Sequence, residues 1–177
     1  MNSLSSLSRP DWSATGSSLP APREFERQRL RSLERSRLLD SGDDERFDRI
    51  TRQACRQFGV STAVISLIAK DRQYLKSVVG SFPRNVPRDA AFCNETIKGE
   101  TPLVVPDLLA DDRFRTSPLV VGAPFIRFYA GVPLRGPGGW FVGSICILGT
   151  EPRELRRTDQ DRLCLLAVEA ELEINGS

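Results

Sequence analysis

Residues 126–149, IRFYAGVPLRGPGGWFVGSICILG, constrain the fold more than any other stretch of the chain. Phe128, Ala130, Val132 and Leu134 alternate with Arg127, Tyr129, Gly131 and Pro133, and residues 140–148 are apolar on both faces apart from glycine and Ser144. Between the two runs, Arg135-Gly136-Pro137-Gly138-Gly139 supplies the positive-φ residues and the fixed proline φ that a reversal needs. Two long strands joined by a tight turn are predicted. A strand apolar on both faces must be covered on both, so the hairpin belongs mid-sheet, with helices or loops above and below.

The rest of the chain supplies those covers. After a Ser- and Pro-rich segment over residues 1–22, expected to be a disordered tail, a domain is predicted over 23–174. A first helix runs from about Arg23 to Leu39, with a thin apolar stripe of Phe25, Leu30, Leu33 and Leu38. Its six arginines against three glutamates read as a solvated face rather than a nucleic-acid patch. Phe47, Ile50, Ala54 and Phe58 recur at helical spacing between an aspartate cap and Gly59. Residues 62–69 form a central strand, Lys70-Asp71-Arg72 turns the chain, and residues 73–79 return beside it. Residues 80–89 read as loop, followed by a short helix from Ala91 capped by Asp89, then a short strand at Leu103-Val104-Val105. Residues 108–125 make a long connection with one helical turn at 111–114, of the length that often serves as a lid. A last helix begins at a Thr158 cap with Asp161 at N3, its apolar side built from Leu163, Leu166 and Ala170. The fold class is α+β, an antiparallel sheet with helices packed on a face.

Composition closes several function classes. Histidine is absent from the 177 residues, which removes Ser-His and Cys-His triads, histidine-ligated metals and histidine phosphotransfer within this chain. Cys55, Cys93, Cys146 and Cys164 form no CxxC pair and read as small buried hydrophobes. A net charge of +2 gives no electrostatic case for nucleic acid, and no apolar run approaches membrane-helix length. No apolar signal core opens the chain, and a cytoplasmic location is expected.

Several short segments occur in an order that resembles GAF domains, the small-molecule sensory modules of bacterial signalling proteins. They are residues 45–50 (ERFDRI), 71–77 (DRQYLKS), 87–93 (PRDAAFC), 103–107 (LVVPD), 112–114 (DRF), 126–134 (IRFYAGVPL) and 143–148 (GSICIL). The resemblance runs from about Leu30 to Leu172 and is to the branch found with diguanylate cyclases and histidine kinases. It implies a sheet of about six strands, terminal helices together on one face, and a ligand pocket with its lid on the other. It also implies a homodimer through those helices and a downstream signalling protein as partner. Two departures stand out. Cys93 is followed by Asn94-Glu95 rather than the Cys-His of bilin attachment, and the Asn-Lys-Phe-Asp-Glu signature of cyclic-nucleotide GAF domains is missing. No cofactor is identified.

The expected ligand-binding residues are Phe92, Phe114, Phe128 and Tyr129 as aromatic walls, Asp107 and Arg113 as polar anchors, and Cys93. Cys93 in the first turn of the short helix, near Arg88, would favour a thiolate; the plainer reading is a small side chain buried under the lid. The function expected is a non-enzymatic sensory or regulatory module for an unidentified small molecule. Two alternatives stand beside it. One is a GAF-type free methionine-(R)-sulfoxide reductase using Cys93, for which Cys146 is the one plausible partner thiol. The other is a degenerate GAF domain whose pocket is plugged by phenylalanines and which only dimerises. The sequence ends at Asn175-Gly176-Ser177 with no output module, as expected of a freestanding sensor or of part of a longer chain.

Overall fold

The computed structural model describes residues 21–176, so the proposed disordered tail lies outside the described residues except for its last two positions. The first helix, α1 (Pro22–Ser36), starts with a proline whose missing N–H costs nothing there and ends at Arg37 with φ 56°. Helix α2 (Glu45–Phe58) is capped by the Asp44 side chain, which accepts from Arg46 N, and stops at Gly59 with φ 62°. Its stripe of Phe47, Ile50, Ala54 and Phe58 is buried as expected.

Six strands follow in one antiparallel sheet. They are β1 (Thr62–Ile68), β2 (Arg72–Val79), β3 (Asn85–Pro87), β4 (Leu103–Val105), β5 (Phe128–Arg135) and β6 (Phe141–Gly149), in the order β3-β2-β1-β6-β5-β4. The opening hairpin is therefore β5–β6, and β6 lies between β5 and β1 at the middle of the sheet. Helix α2 and the last helix, α5 (Arg157–Asn175), cover one face. A 3₁₀ turn at Arg88–Ala90, α3 (Cys93–Thr96) and α4 (Pro118–Val121) lie with the intervening loops on the other.

The pleat divides the interior in two. Behind the sheet, Ile65, Leu67, Phe128, Ala130, Ile145 and Ile147 meet Phe47, Ile50, Leu163 and Leu166. In front, Val64, Ile68, Tyr129, Cys146 and Leu148 meet Phe92, Cys93, Phe114 and Val120. Close strand approach fixes one residue: a Cβ at Gly143 would lie 1.8 Å from the Ser66 carbonyl oxygen, beside the β1–β2 register shift at Ile65/Ser66, where Lys76 of β2 is the extra residue.

Five local expectations are corrected. Residues 80–89 hold the short edge strand β3, whose alternating exposure is too brief to read as a period. Asp89 sits inside the 3₁₀ turn, and α3 starts without a side-chain cap. The lid contains α4, begun by Ser117 and Pro118, a capping pair hidden among the loop prolines. Helix α5 starts at Arg157, one residue before Thr158, so that threonine is not its cap. The first helix, read as a solvated arginine face, also buries Arg29, whose Nη1 donates to the Ile68 carbonyl at 2.8 Å.

Candidate functional site

Three strands and one short helix bring a polar cluster together beneath the lid. Period-2 alternation sends Ser66 of β1, Tyr129 of β5, and Ser144 and Cys146 of β6 to the front of the sheet. Ser66 and Ser144 are cross-strand partners with their hydroxyls 3.2 Å apart. Helix α3 adds Cys93 and, one turn on, Thr96. The Tyr129 hydroxyl is 2.6 Å from Thr96 Oγ1 and donates to Cys93 Sγ at 3.5 Å, and Cys93 Sγ lies 3.7 Å from Cys146 Sγ. The phenol reaches over β5 because residue 131 is glycine: a Cβ there would come within 2.2 Å of the Tyr129 hydroxyl.

The electrostatics of the two thiols diverge. Hydrogen bonding from the Cys146 thiol draws Cys93 down to about 6, against desolvation, with Ser144, Ser66 and Tyr129 adding to the effect. The same contact, with burial, pushes Cys146 well above the usual cysteine value. The pair thus behaves as one site, in which the first proton leaves readily and the second does not. Burial raises the Tyr129 phenol as well, so it stays a donor. The expected cause of a Cys93 thiolate is corrected: α3 has four residues, and Arg88 turns away to Asn94 and Glu26.

Above the cluster the aromatic rings close the face. Phe92 meets Phe114 edge-on with centroids 5.3 Å apart, and Tyr129 at 5.6 Å. Arg127 Nη1 donates to the Val120 carbonyl at 2.8 Å, holding α4 to the start of β5. What remains inside is a cavity of about 30 Å³ lined by Phe92, Cys93, Tyr129 and Cys146, room for roughly a water-sized molecule. Outside it, a cleft of about 260 Å³ runs between the α3 segment and the lid, bordered by Asp89, Phe92, Asn94, Glu95, Arg113 and Phe114.

Of the residues expected to bind ligand, Phe92, Cys93 and Tyr129 line the inner cavity, and Phe92, Arg113 and Phe114 border the outer cleft. Arg113 pairs with Asp111 at 2.7 Å and rides over the Phe114 ring at 5.0 Å. Asp107 borders neither space; its Oδ1 accepts from Leu109 N and shapes the start of the lid. Phe128 is corrected outright. It belongs to the core behind the sheet, with the Arg153 guanidinium 5.8 Å from its ring centre, because its neighbour Tyr129 takes the front. Thr96, Ser66 and Ser144 were not anticipated, although a serine in each of two otherwise apolar central strands was a readable signal. Cys55 and Cys164 pack half-buried against the rear core, leaving Cys93 and Cys146 as the thiols of the front.

A sheet with its terminal helices behind and a lidded cluster in front is the build of a small sensory module of signalling proteins. The chain belongs to the GAF domain family, whose model matches residues 44–174. It is 38% identical over 130 residues to a protein of Pseudomonas aeruginosa named a cyclic di-GMP phosphodiesterase, and the match covers 73% of this chain but 22% of that one. In structure it resembles the GAF domain of an Acinetobacter phosphoenolpyruvate-protein phosphotransferase, with a TM-score of 0.60 and 15% identity over 83% of this chain and 92% of the other. It also resembles free methionine-R-sulfoxide reductase from Neisseria meningitidis, with a TM-score of 0.60 and 17% identity over 88% and 92%. At these identities the two structures speak for the fold alone. Among the described residues no helix is long and apolar enough to cross a membrane, and no group of three or more His, Cys, Asp or Glu is placed to hold a metal.

Proposed function

We propose that this is a non-enzymatic regulatory GAF domain of bacterial signal transduction, which passes the state of the lidded face to its terminal helices. The observation that carries this reading is the Arg88 bridge. Arg88 Nε donates to Asn94 Oδ1 at 2.8 Å, next to Cys93, and its Nη1 donates to Glu26 of α1 at 2.6 Å. Glu26 also receives Arg29, which is anchored on β1, so a change at α3 bears directly on α1. An effector held between α3 and the lid would favour one arrangement of this bridge by its differential affinity for the two.

The helices would act through a homodimer. Leu165, Val168 and Leu172 stand exposed along α5 at i, i+3 and i+7, a self-complementary apolar ridge that suits a second copy. The partner downstream would be a signalling protein or an attached output module. A thermal-shift screen with nucleotides, amino acids and aromatic metabolites tests the sensing reading. A bound effector raises the melting temperature by mass action, and Arg113→Ala and Phe114→Ala should diminish that rise. If every compound leaves the melting temperature unmoved while the protein is dimeric, the domain serves only as a dimerisation module.

A reductase reading is favoured by one observation, the adjacent thiols of Cys93 and Cys146. Against it stands the cavity of about 30 Å³, too small for an amino-acid sulfoxide while the lid is shut. Reduction of free methionine sulfoxide by the purified protein with a thiol reductant would make it an enzyme.

A further inference from the structure

We propose that Cys93 and Cys146 are a redox modification site, joined into an intrachain disulfide by a small hydroperoxide. The inference goes beyond the sensing reading and needs no organic effector.

Three observations converge on the pair. The sulfurs are 3.7 Å apart, and a bond needs about 2.05 Å, so a closure of less than 2 Å suffices. They come from different elements, α3 and the central strand β6, 53 residues apart in sequence, so the bond would pin the covering segment to the sheet. Both line the inner cavity of about 30 Å³, a space for hydrogen peroxide but not for a bulky oxidant. The remaining cysteines, on α2 and α5, pack against the rear core, where neither can resolve an oxidised Cys93.

The chemistry balances within the cluster. Cys93, ringed by hydrogen-bonding Cys146, Ser144, Ser66 and Tyr129, is the thiolate that attacks one peroxide oxygen. The O–O bond breaks, Cys93 becomes the sulfenic acid, and the departing hydroxide takes the Cys146 proton to leave as water. The Cys146 thiolate then attacks the Cys93 sulfur and the S–O bond breaks. The hydroxide released there combines with the proton first lost from Cys93. Two thiols and one hydrogen peroxide give one disulfide and two waters, the two electrons passing from sulfur to peroxide.

The structural consequence starts at Asn94. Drawing Cys93 towards β6 moves its neighbour Asn94, which is bonded to Arg88 and through it to Glu26 of α1. Oxidation would therefore reach α1 along the same bridge as an effector.

The test is peptide mapping of the full chain without reductant, after treatment with equimolar hydrogen peroxide. The expected result is a cross-linked pair of peptides carrying Cys93 and Cys146, lighter by two hydrogens and separated again by dithiothreitol. Cys55→Ser/Cys164→Ser should form the same link in the same yield, and Cys93→Ser and Cys146→Ser should each lack it. Cys93 recovered as sulfinic acid beside free Cys146 would overturn the proposal. So would both thiols remaining unmodified while Cys55 or Cys164 is oxidised. Because the readout is made on the unsubstituted chain, a variant that misfolds does not leave the question open.

Discussion

Arg88 and Glu26 meet at 2.6 Å across the boundary between the lidded face and the first helix, 62 positions apart in the chain. Glu26 is shared, since Arg29 donates to it from Nε and Nη2 at 2.9 Å each. Arg29 is 1% exposed and depends on this carboxylate and on the Ile68 carbonyl. A charge that the bare arginine count assigns to solvent is thus a buried pin between α1 and β1.

Glu26 makes the pin sensitive to acid. Desolvation raises its pKa, but hydrogen bonds from Arg29 and Arg88 outweigh this and hold it at about 2, against 4.5 unperturbed. Between those values the unfolded chain binds more protons than the folded one. The contribution is therefore intact above pH 4.5 and lost as pH falls towards 2. Denaturant unfolding of Glu26→Gln should show stability lower by on the order of 1–2 kcal/mol at neutral pH, after discounting for partial exposure, and a flatter decline over that acid window. An unchanged acid slope would mean that the bridge carries no stability.

Gly131 is the second point of leverage. A methyl group there would meet the Tyr129 hydroxyl at 2.2 Å and Thr96 Oγ1 at 3.1 Å. The phenol is fully buried and bonded to Thr96, so Gly131→Ala should cost about 1–3 kcal/mol by forcing it out of place. A double-mutant cycle with Tyr129→Phe should recover part of that cost, because the closest clash is with the hydroxyl itself. Additive effects would place the strain in the backbone instead.

These positions also mark how far the sequence could be read. The β5–β6 hairpin and α2 were legible because alternation, helical spacing, glycines and a capping aspartate all act within a few residues. Aromatic character alone places both Phe128 and Tyr129 in the pocket, yet adjacent strand residues point to opposite faces, so only one of them can face it. Which one faces front depends on the placement of β5 in the sheet, a long-range property. The Cys93–Cys146 contact joins α3 to β6 and follows from no local pattern: residues 140–148 are apolar on both faces, so the strand alone does not fix which face Cys146 takes. Arg29 was hidden for the same reason: a helix rich in arginine does not announce which of them the sheet will cover.

Phe114 is the keystone of the lid, 5% exposed and edge-on to Phe92. Phe114→Ala should lower stability by roughly 2–4 kcal/mol, somewhat below the usual range for a buried phenylalanine because a surface-proximal lid can relax. It should also speed native-state alkylation of Cys93 by iodoacetamide at least about fivefold, since opening under the lid is a local event. The pH profile of that reaction should have its midpoint well below the ordinary cysteine value, because Cys93 is held near 6 by hydrogen bonding from Cys146 and the hydroxyls around it. Tyr129→Phe removes one of those donors and should move the midpoint upward. A midpoint at the ordinary value in the Phe114→Ala protein would show that the cluster does not stabilise the thiolate.

The apolar ridge of α5 offers a test of the proposed homodimer. Leu165, Val168 and Leu172 are 66%, 53% and 69% exposed, while their helix neighbours Leu163, Leu166 and Ala170 are buried behind the sheet. The ridge therefore adds nothing to the monomer's core, and Leu165→Lys/Leu172→Lys should change folding stability by no more than about 0.5 kcal/mol per site. In the dimer the same lysines would face their own copies across a two-fold axis, where like charges repel and two apolar contacts are lost. Light scattering at micromolar concentration should find a dimer for the unsubstituted chain and a monomer for the variant, with the same melting curve at low concentration. A monomer in both cases would remove the second copy from the route proposed above for α1 and α5.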